Sequence, residues 1–184
     1  MPTYGYVIIG IVFVVFVWAI ITYNTFVSLR NKTEEAFSTM DVYLKKRYDL
    51  VPNLVDTVKG YAAHEQETFQ KVTDARVRAM SSENIADRQA SETALSQTLR
   101  SLFALAENYP MLKADTAFVQ LQQQLQGVEE DIAQARKYYN AVVKTMNTKV
   151  EMFPSNIAAS IMGFKKYPFF MVENEERANV RVNF

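Results

Sequence analysis

Residues 118–146 read FVQLQQQLQGVEEDIAQARKYYNAVVKTM. Phe118, Leu121, Leu125, Val128, Ile132, Ala135, Tyr139, Val142 and Met146 recur in steps of three and four, while glutamines and charges occupy the other positions. That spacing belongs to a helix that buries one stripe against neighbouring helices. Val150 and Phe153 extend the seam after one irregular step, and Pro154 ends it. A seam this long needs helical partners to cover it, so the chain is expected to be all-α, built around a helix over residues 113–153.

The partners are sought on either side. A helix over 84–108 carries Leu95, Leu99, Leu102, Ala106 and Tyr109, with Phe103 beside them; Pro110 closes it by pushing the residue before it out of the helical region. A break at Ser81–Asn84 separates it from a helix over 24–80. There Val51, Val55, Val58, Ala62, Glu65, Phe69, Val72, Arg76 and Ala79 continue the three-and-four spacing. Pro52 is expected to kink that helix, since it lacks one backbone donor, with Asn53 placed to satisfy the freed groups. Short breaks between long helices predict an antiparallel three- to four-helix bundle over 24–163. Its last element is a short helix at 155–163 with Ile157 and Ile161 on one face.

Upstream lies YGYVIIGIVFVVFVWAIITY, residues 4–23, after a three-residue tail; no charged side chain precedes Arg30. About 20 apolar helical residues span a hydrocarbon core, and Tyr4, Tyr6, Trp18 and Tyr23 near its ends suit the headgroup interface. A cleaved signal peptide would need a basic start and a small-residue cleavage site; neither is present, so a retained transmembrane helix is expected. Between Gly10 and Pro52 there is no glycine or proline, which predicts a span continuous with the first bundle helix. Arg30, Lys32, Lys45, Lys46 and Arg47 follow the span. The positive-inside rule therefore expects the N-terminus outside and the bundle in the cytoplasm.

The opposite end changes character. Residues 164–184 hold an aromatic cluster, Phe164, Tyr167, Phe169 and Phe170, and then Val180, Val182 and Phe184 in the alternation of a strand. A short strand or extended tail must pair its backbone groups somewhere. Contact with another subunit is the expectation for all seven side chains, with a membrane surface or the bundle end as alternatives.

Composition excludes several functions. Twenty basic and twenty acidic residues balance, which gives no support for a nucleic-acid partner. Without cysteine there are no disulfides and no thiol chemistry. The one histidine, His64, begins His-Glu-x-x-Thr, which lacks the second histidine of a zinc site. No serine sits in a nucleophile elbow and no glycine-rich loop could cradle a phosphate. No cofactor, metal or catalytic residue is expected. The polar residues of interest lie on or beside the seams: Arg47, Glu65, Arg76, Glu129 and Arg136. A buried charge needs a partner, so these either form an interhelical ionic network or lay their stems along the seam with their heads in water. Tyr138–Asn140 is read mainly as core, through Tyr139.

The stretches YNTFVSLRNKTEEAF, DVYLKKRYDLVPNLVDTVKGYAAHEQETFQKVTDAR and NYPMLKADTAFVQLQQQLQGVEEDIAQARKYYNAVVKTMNTKVEMFPSNIAASIMGF closely resemble the LemA family. The resemblance covers roughly residues 23–170. It departs at the end, where YPFFMVENEE and VRVNF replace the usual Tyr-Phe-acidic pattern and short apolar terminus. The resemblance implies a single-pass protein of the bacterial inner membrane with a helical bundle, and no known reaction. It also implies a scaffold or adaptor at the bilayer, with membrane proteins such as proteases as partners; the long helix, the heptad seams, the anchor and the unpaired strand add the expectation of a homo-oligomer. The alternative is a signalling or regulatory module at the membrane; an enzyme would need a polar cleft that the sequence does not reveal.

Overall fold

The computed structural model describes residues 3–171, and every regular element among them is helical. In chain order these are α1 (Thr3–Lys59), α2 (Gln66–Ser81), α3 (Ile85–Ala106), α4 (Pro110–Lys113), α5 (Thr116–Glu151) and α6 (Ser155–Met162). The chain divides into two compact units: one contains residues 3–38 and 137–169, the other 39–136 and 170–171. The two long helices, α1 and α5, contribute to both.

α1 runs for 57 residues and passes through Pro52. A proline inside a helix leaves the carbonyl four residues earlier without its donor. That carbonyl belongs to Tyr48, and it accepts a hydrogen bond from Arg76 Nε of α2 at 2.7 Å. The compensation therefore comes from another helix and not from Asn53, which is exposed and whose own carbonyl accepts from the Thr57 hydroxyl. The helix expected over 24–80 is instead two helices. The break falls at Gly60–Glu65, where the Val58 carbonyl receives both the Tyr61 and Ala62 amides at 3.0 Å. Glycine weakens a helix by about 1 kcal/mol relative to alanine, and the Val58–Ala62–Glu65–Phe69 spacing masks the turn because Ala62 is buried within it.

In the unit that contains residues 39–136, α2 packs along α3. The pair forms a hairpin: Ser82 and Ser91 hydroxyls meet at one end, and the Tyr109 hydroxyl donates to Glu65 Oε1 at 3.4 Å at the other. Asn84 caps α3 by accepting the Asp87 amide at 2.8 Å. Asp115 caps α5, accepting the Ala117 and Phe118 amides at 2.7 and 3.1 Å. Both use a side-chain oxygen to satisfy amides that the first helical turn leaves bare. Leu95, Leu99, Leu102 and Ala106 of α3 are buried, as are Phe69, Val72, Ala75 and Ala79 of α2.

In the unit that contains residues 3–38 and 137–169, Phe26, Met146 and Ala159 form the core, with Leu29, Val150, Phe164 and Tyr167 packed on it. The Phe26 and Phe164 rings stack at 4.8 Å. Phe37 meets Tyr139 edge-on at 5.9 Å. α6 ends at Gly163, whose φ of 75° is favourable only without a Cβ. The Phe164 amide then returns to the Ala159 carbonyl at 3.0 Å. This closure turns Phe164 back onto Phe26.

The α5 seam differs from expectation at two places. Val143 is fully buried where Val142 was expected, because the step after Tyr139 is four and not three. Phe153, expected to prolong the seam, lies beyond the helix end at Glu151 and is 77% exposed. The expected strand with Val180, Val182 and Phe184 lies outside the described residues.

Candidate functional site

Arg47 is the most deeply buried charge among the described residues, at 2% exposure. It sits on the inward stripe of α1 between Leu44 and Val51. Its guanidinium ion-pairs with Glu92 of α3, donates to Glu129 Oε1 of α5 at 2.7 Å, and reaches Ser96 Oγ at 3.3 Å. Glu92 also accepts from the Tyr48 hydroxyl. One arginine thus ties α1 to two further helices. A charge removed from water needs such compensation, since its desolvation penalty is several kcal/mol. Burial pushes the Tyr48 hydroxyl above its usual range, and the neighbouring Arg47 charge pulls it partly back.

Of the five residues singled out from the sequence, the structure brings together Arg47 and Glu129. The other three have separate tasks. Arg76 covers the carbonyl bared by Pro52, and Glu65 accepts from Tyr109. Arg136 donates from Nη2 to the Met171 carbonyl at 3.0 Å, with its guanidinium 5.1 Å from the centre of the Phe170 ring. The buried acid, Glu92, was missed. Its signal was available: Glu92, Leu95, Leu99, Leu102 and Ala106 continue the α3 seam backwards by one step, placing a carboxylate at a core position.

Beside the cluster lies a cavity of about 240 Å³, lined by Arg47, Glu92, Ser96, Arg100, Glu129 and Arg136 among others, with Phe170 and Met171 at its wall. The Met171 amide donates to Gln89 Oε1 at 3.1 Å. The arrangement places fixed charges and hydrogen-bond donors from α1, α3 and α5 around one cavity. His64 lies in the turn before α2, so the His-Glu-x-x-Thr run is not on one helical face. Among the described residues no three His, Asp or Glu side chains converge as metal ligands.

The aromatic cluster is divided between the units. In the one, an extended segment is held by its backbone: the Asn147 amide donates to the Tyr167 carbonyl at 2.8 Å and accepts its N–H at 2.9 Å, while the Tyr139 hydroxyl donates to the Pro168 carbonyl at 2.9 Å. Burial pushes the Tyr139 hydroxyl up to about 12. Phe164 and Tyr167 pack on that unit's core, and Phe169 is 42% exposed. In the other, Phe170 is buried against Arg136. Phe164, Tyr167 and Phe170, expected to meet another subunit, are therefore engaged within their own chain.

The sequence matches the model of the LemA family over residues 36–184. It is 25% identical to magnetosome protein MamQ 2 of Paramagnetospirillum magneticum, over 92% of this chain and 72% of that one. It is 24% identical to magnetosome protein MamQ of Magnetospirillum gryphiswaldense, over 80% and 64%. Protein LemA of Metamycoplasma hominis is 26% identical, over 82% and 69%. With four-fifths of its length matched in this way, the chain belongs to the LemA family.

Proposed function

We propose that this chain is a single-pass membrane protein with a structural or adaptor role: residues 4–23 span the inner membrane, and the helices beyond form an antiparallel bundle that self-associates and offers its surface to other membrane proteins. The observation that carries this reading is α1. It is one helix, long and apolar enough to cross a membrane, and only 6% of its most apolar window is buried. The same helix then becomes inward-facing at Phe26, Thr33, Ala36, Met40, Leu44 and Arg47. Isolated exposed apolar side chains are ordinary, but an uninterrupted turn-after-turn apolar surface needs lipid or protein around it. The N-terminus outside and the bundle in the cytoplasm is the orientation favoured by Arg30 and Lys32.

Carbonate extraction with protease protection in inverted vesicles tests the reading. The chain should stay in the membrane pellet, and the helices beyond residue 30 should be digested in inverted vesicles but not in intact cells. Release by carbonate would refute the anchor, and protection in inverted vesicles would reverse the orientation. Crosslinking in native membranes should give a ladder of homo-oligomers; monomer alone would refute self-association.

A further inference from the structure

The eight-residue helix α6 exposes its larger apolar side chains and buries its smaller ones. Its covered face carries Ala158 and Ala159, 4% and 1% exposed. Its open face carries Ile157 and Ile161, one turn apart and 52% and 81% exposed. Just before it, Met152 and Phe153 are 59% and 77% exposed. A helix facing water orders its side chains the other way. Position explains the inversion. Ala159 packs with Phe26, and the Phe164 ring that follows α6 stacks on Phe26 and lies 6.1 Å from Tyr23. Tyr23 is the last residue of the apolar run, and Thr22 within that run is already 5% exposed. α6 is thus held at the level where the run ends.

Charge points the same way. Among the described residues, Lys149 and Lys165, which bracket α6, have no ion pair. A shallow groove of about 360 Å³ runs beside it, lined by Lys144, Thr145, Thr148, Lys149, Met152 and Ser155. Apolar side chains flanked by lysines are what the boundary between acyl chains and anionic headgroups accommodates.

We propose that α6, together with Met152 and Phe153, inserts into that boundary as a second, monotopic membrane contact, with Lys149 and Lys165 facing anionic headgroups. The proposal rests on the reading of residues 4–23 as a span. A second copy of the chain fits this patch less well. A stable protein interface buries about 800 Å² per partner, more than four side chains offer, and a symmetric copy would bring the same lysines together.

Depth-dependent quenching tests it on the full chain, which has no native cysteine to interfere. Three single variants, Val14→Cys, Ile161→Cys and Gln123→Cys, each labelled with bimane, are reconstituted into vesicles of phosphatidylcholine and phosphatidylglycerol. Spin-labelled lipid and aqueous iodide serve as quenchers. The Ile161→Cys label should be quenched by headgroup-proximal spin label and be several-fold less sensitive to iodide than the Gln123→Cys label. Replacing phosphatidylglycerol by phosphatidylcholine should weaken that protection without changing the Val14→Cys label. If the Val14→Cys label is lipid-quenched while that at Ile161→Cys is as open to iodide as the reference, the second contact is refuted and the span stands. Protection from both quenchers would mean a protein cover, which also refutes it. Loss of lipid quenching at Val14→Cys would remove the span and this inference together.

Discussion

The two units bury polar groups in opposite ways. Around Phe26 and Tyr139 the buried polar side chains are neutral: Thr33 donates to the Leu29 carbonyl at 2.9 Å, and Asn147 exchanges both its amide groups with Tyr167. Around Arg47 they are charged: Arg47 pairs with Glu92, and Leu44 and Val51 on the same stripe of α1 and Leu95 and Leu99 on that of α3 are buried. Neutral hydrogen bonds each contribute about 1 kcal/mol and leave modest debts when broken. A buried ion pair contributes little net stability but becomes very costly when one partner is removed. Tolerance to substitution should therefore differ sharply between the units.

The largest effect is expected at the ion pair. Arg47→Met alone leaves Glu92 buried without its counter-charge and should cost about 3–5 kcal/mol. Glu129, 41% exposed, can turn to water and should not add to it. Arg47→Met combined with Glu92→Leu should recover most of that loss, since well-packed apolar replacements of a buried pair are often neutral. Urea unfolding followed by circular dichroism in micelles measures both. A double variant no more stable than Arg47→Met would show that the pair acts through something other than charge compensation.

In the other unit, Asn147→Leu should cost about 1–3 kcal/mol, because it strands the backbone N–H and C=O of Tyr167. The same unfolding measurement applies. A loss as large as that of Arg47→Met would erase the contrast between the units.

A smaller effect sharpens the link between Pro52 and Arg76. Arg76→Met should be destabilising in the native background but less so, by about 1 kcal/mol, alongside Pro52→Ala, which restores the intrahelical donor to the Tyr48 carbonyl. Equal costs in both backgrounds would show that Arg76 does not serve the carbonyl freed by the proline.

The smallest effect is a pH dependence at Asp115. The Tyr61 hydroxyl donates to its carboxylate at 2.6 Å and, with the Phe118 amide, holds its pKa below the ordinary 3.8. A lowered native pKa means that the unfolded chain binds the proton first on acidification. The contribution is present above pH 3.8 and is lost as pH falls through the lower native value. Asp115→Asn should flatten that part of the acid stability curve. An unchanged acid limb would show that the cap does not titrate with folding.

Much of the helical content was legible because periodicity is local. The α3 and α5 seams, Pro110 as a boundary and the apolar run all follow from spacing along one stretch of chain. Where the reading failed, a local pattern met a competing rule. The spacing across Gly60 persisted although the helix did not, because Ala62 fills the seam from a turn. Val142 and Val143 are both compatible with helical spacing, and only the packing chose. Phe153 matched a heptad position beyond the point where the helix had ended.

The candidate site was legible as a set of charges on or beside the seams, with an interhelical network as one of two expected outcomes, but its pairings were not. Sequence by itself determined that α1 begins with an uncharged, membrane-length apolar run and that Arg47 falls on its buried stripe. Those properties depend only on residue type and helical period. Tertiary structure decided that Arg47 pairs with Glu92, that Arg76 repairs the gap left by Pro52, and that α6 buries alanines and exposes isoleucines. Each of these depends on which distant segments lie side by side. A charge or a freed carbonyl takes the nearest complementary group in space, and no spacing within one helix specifies that neighbour.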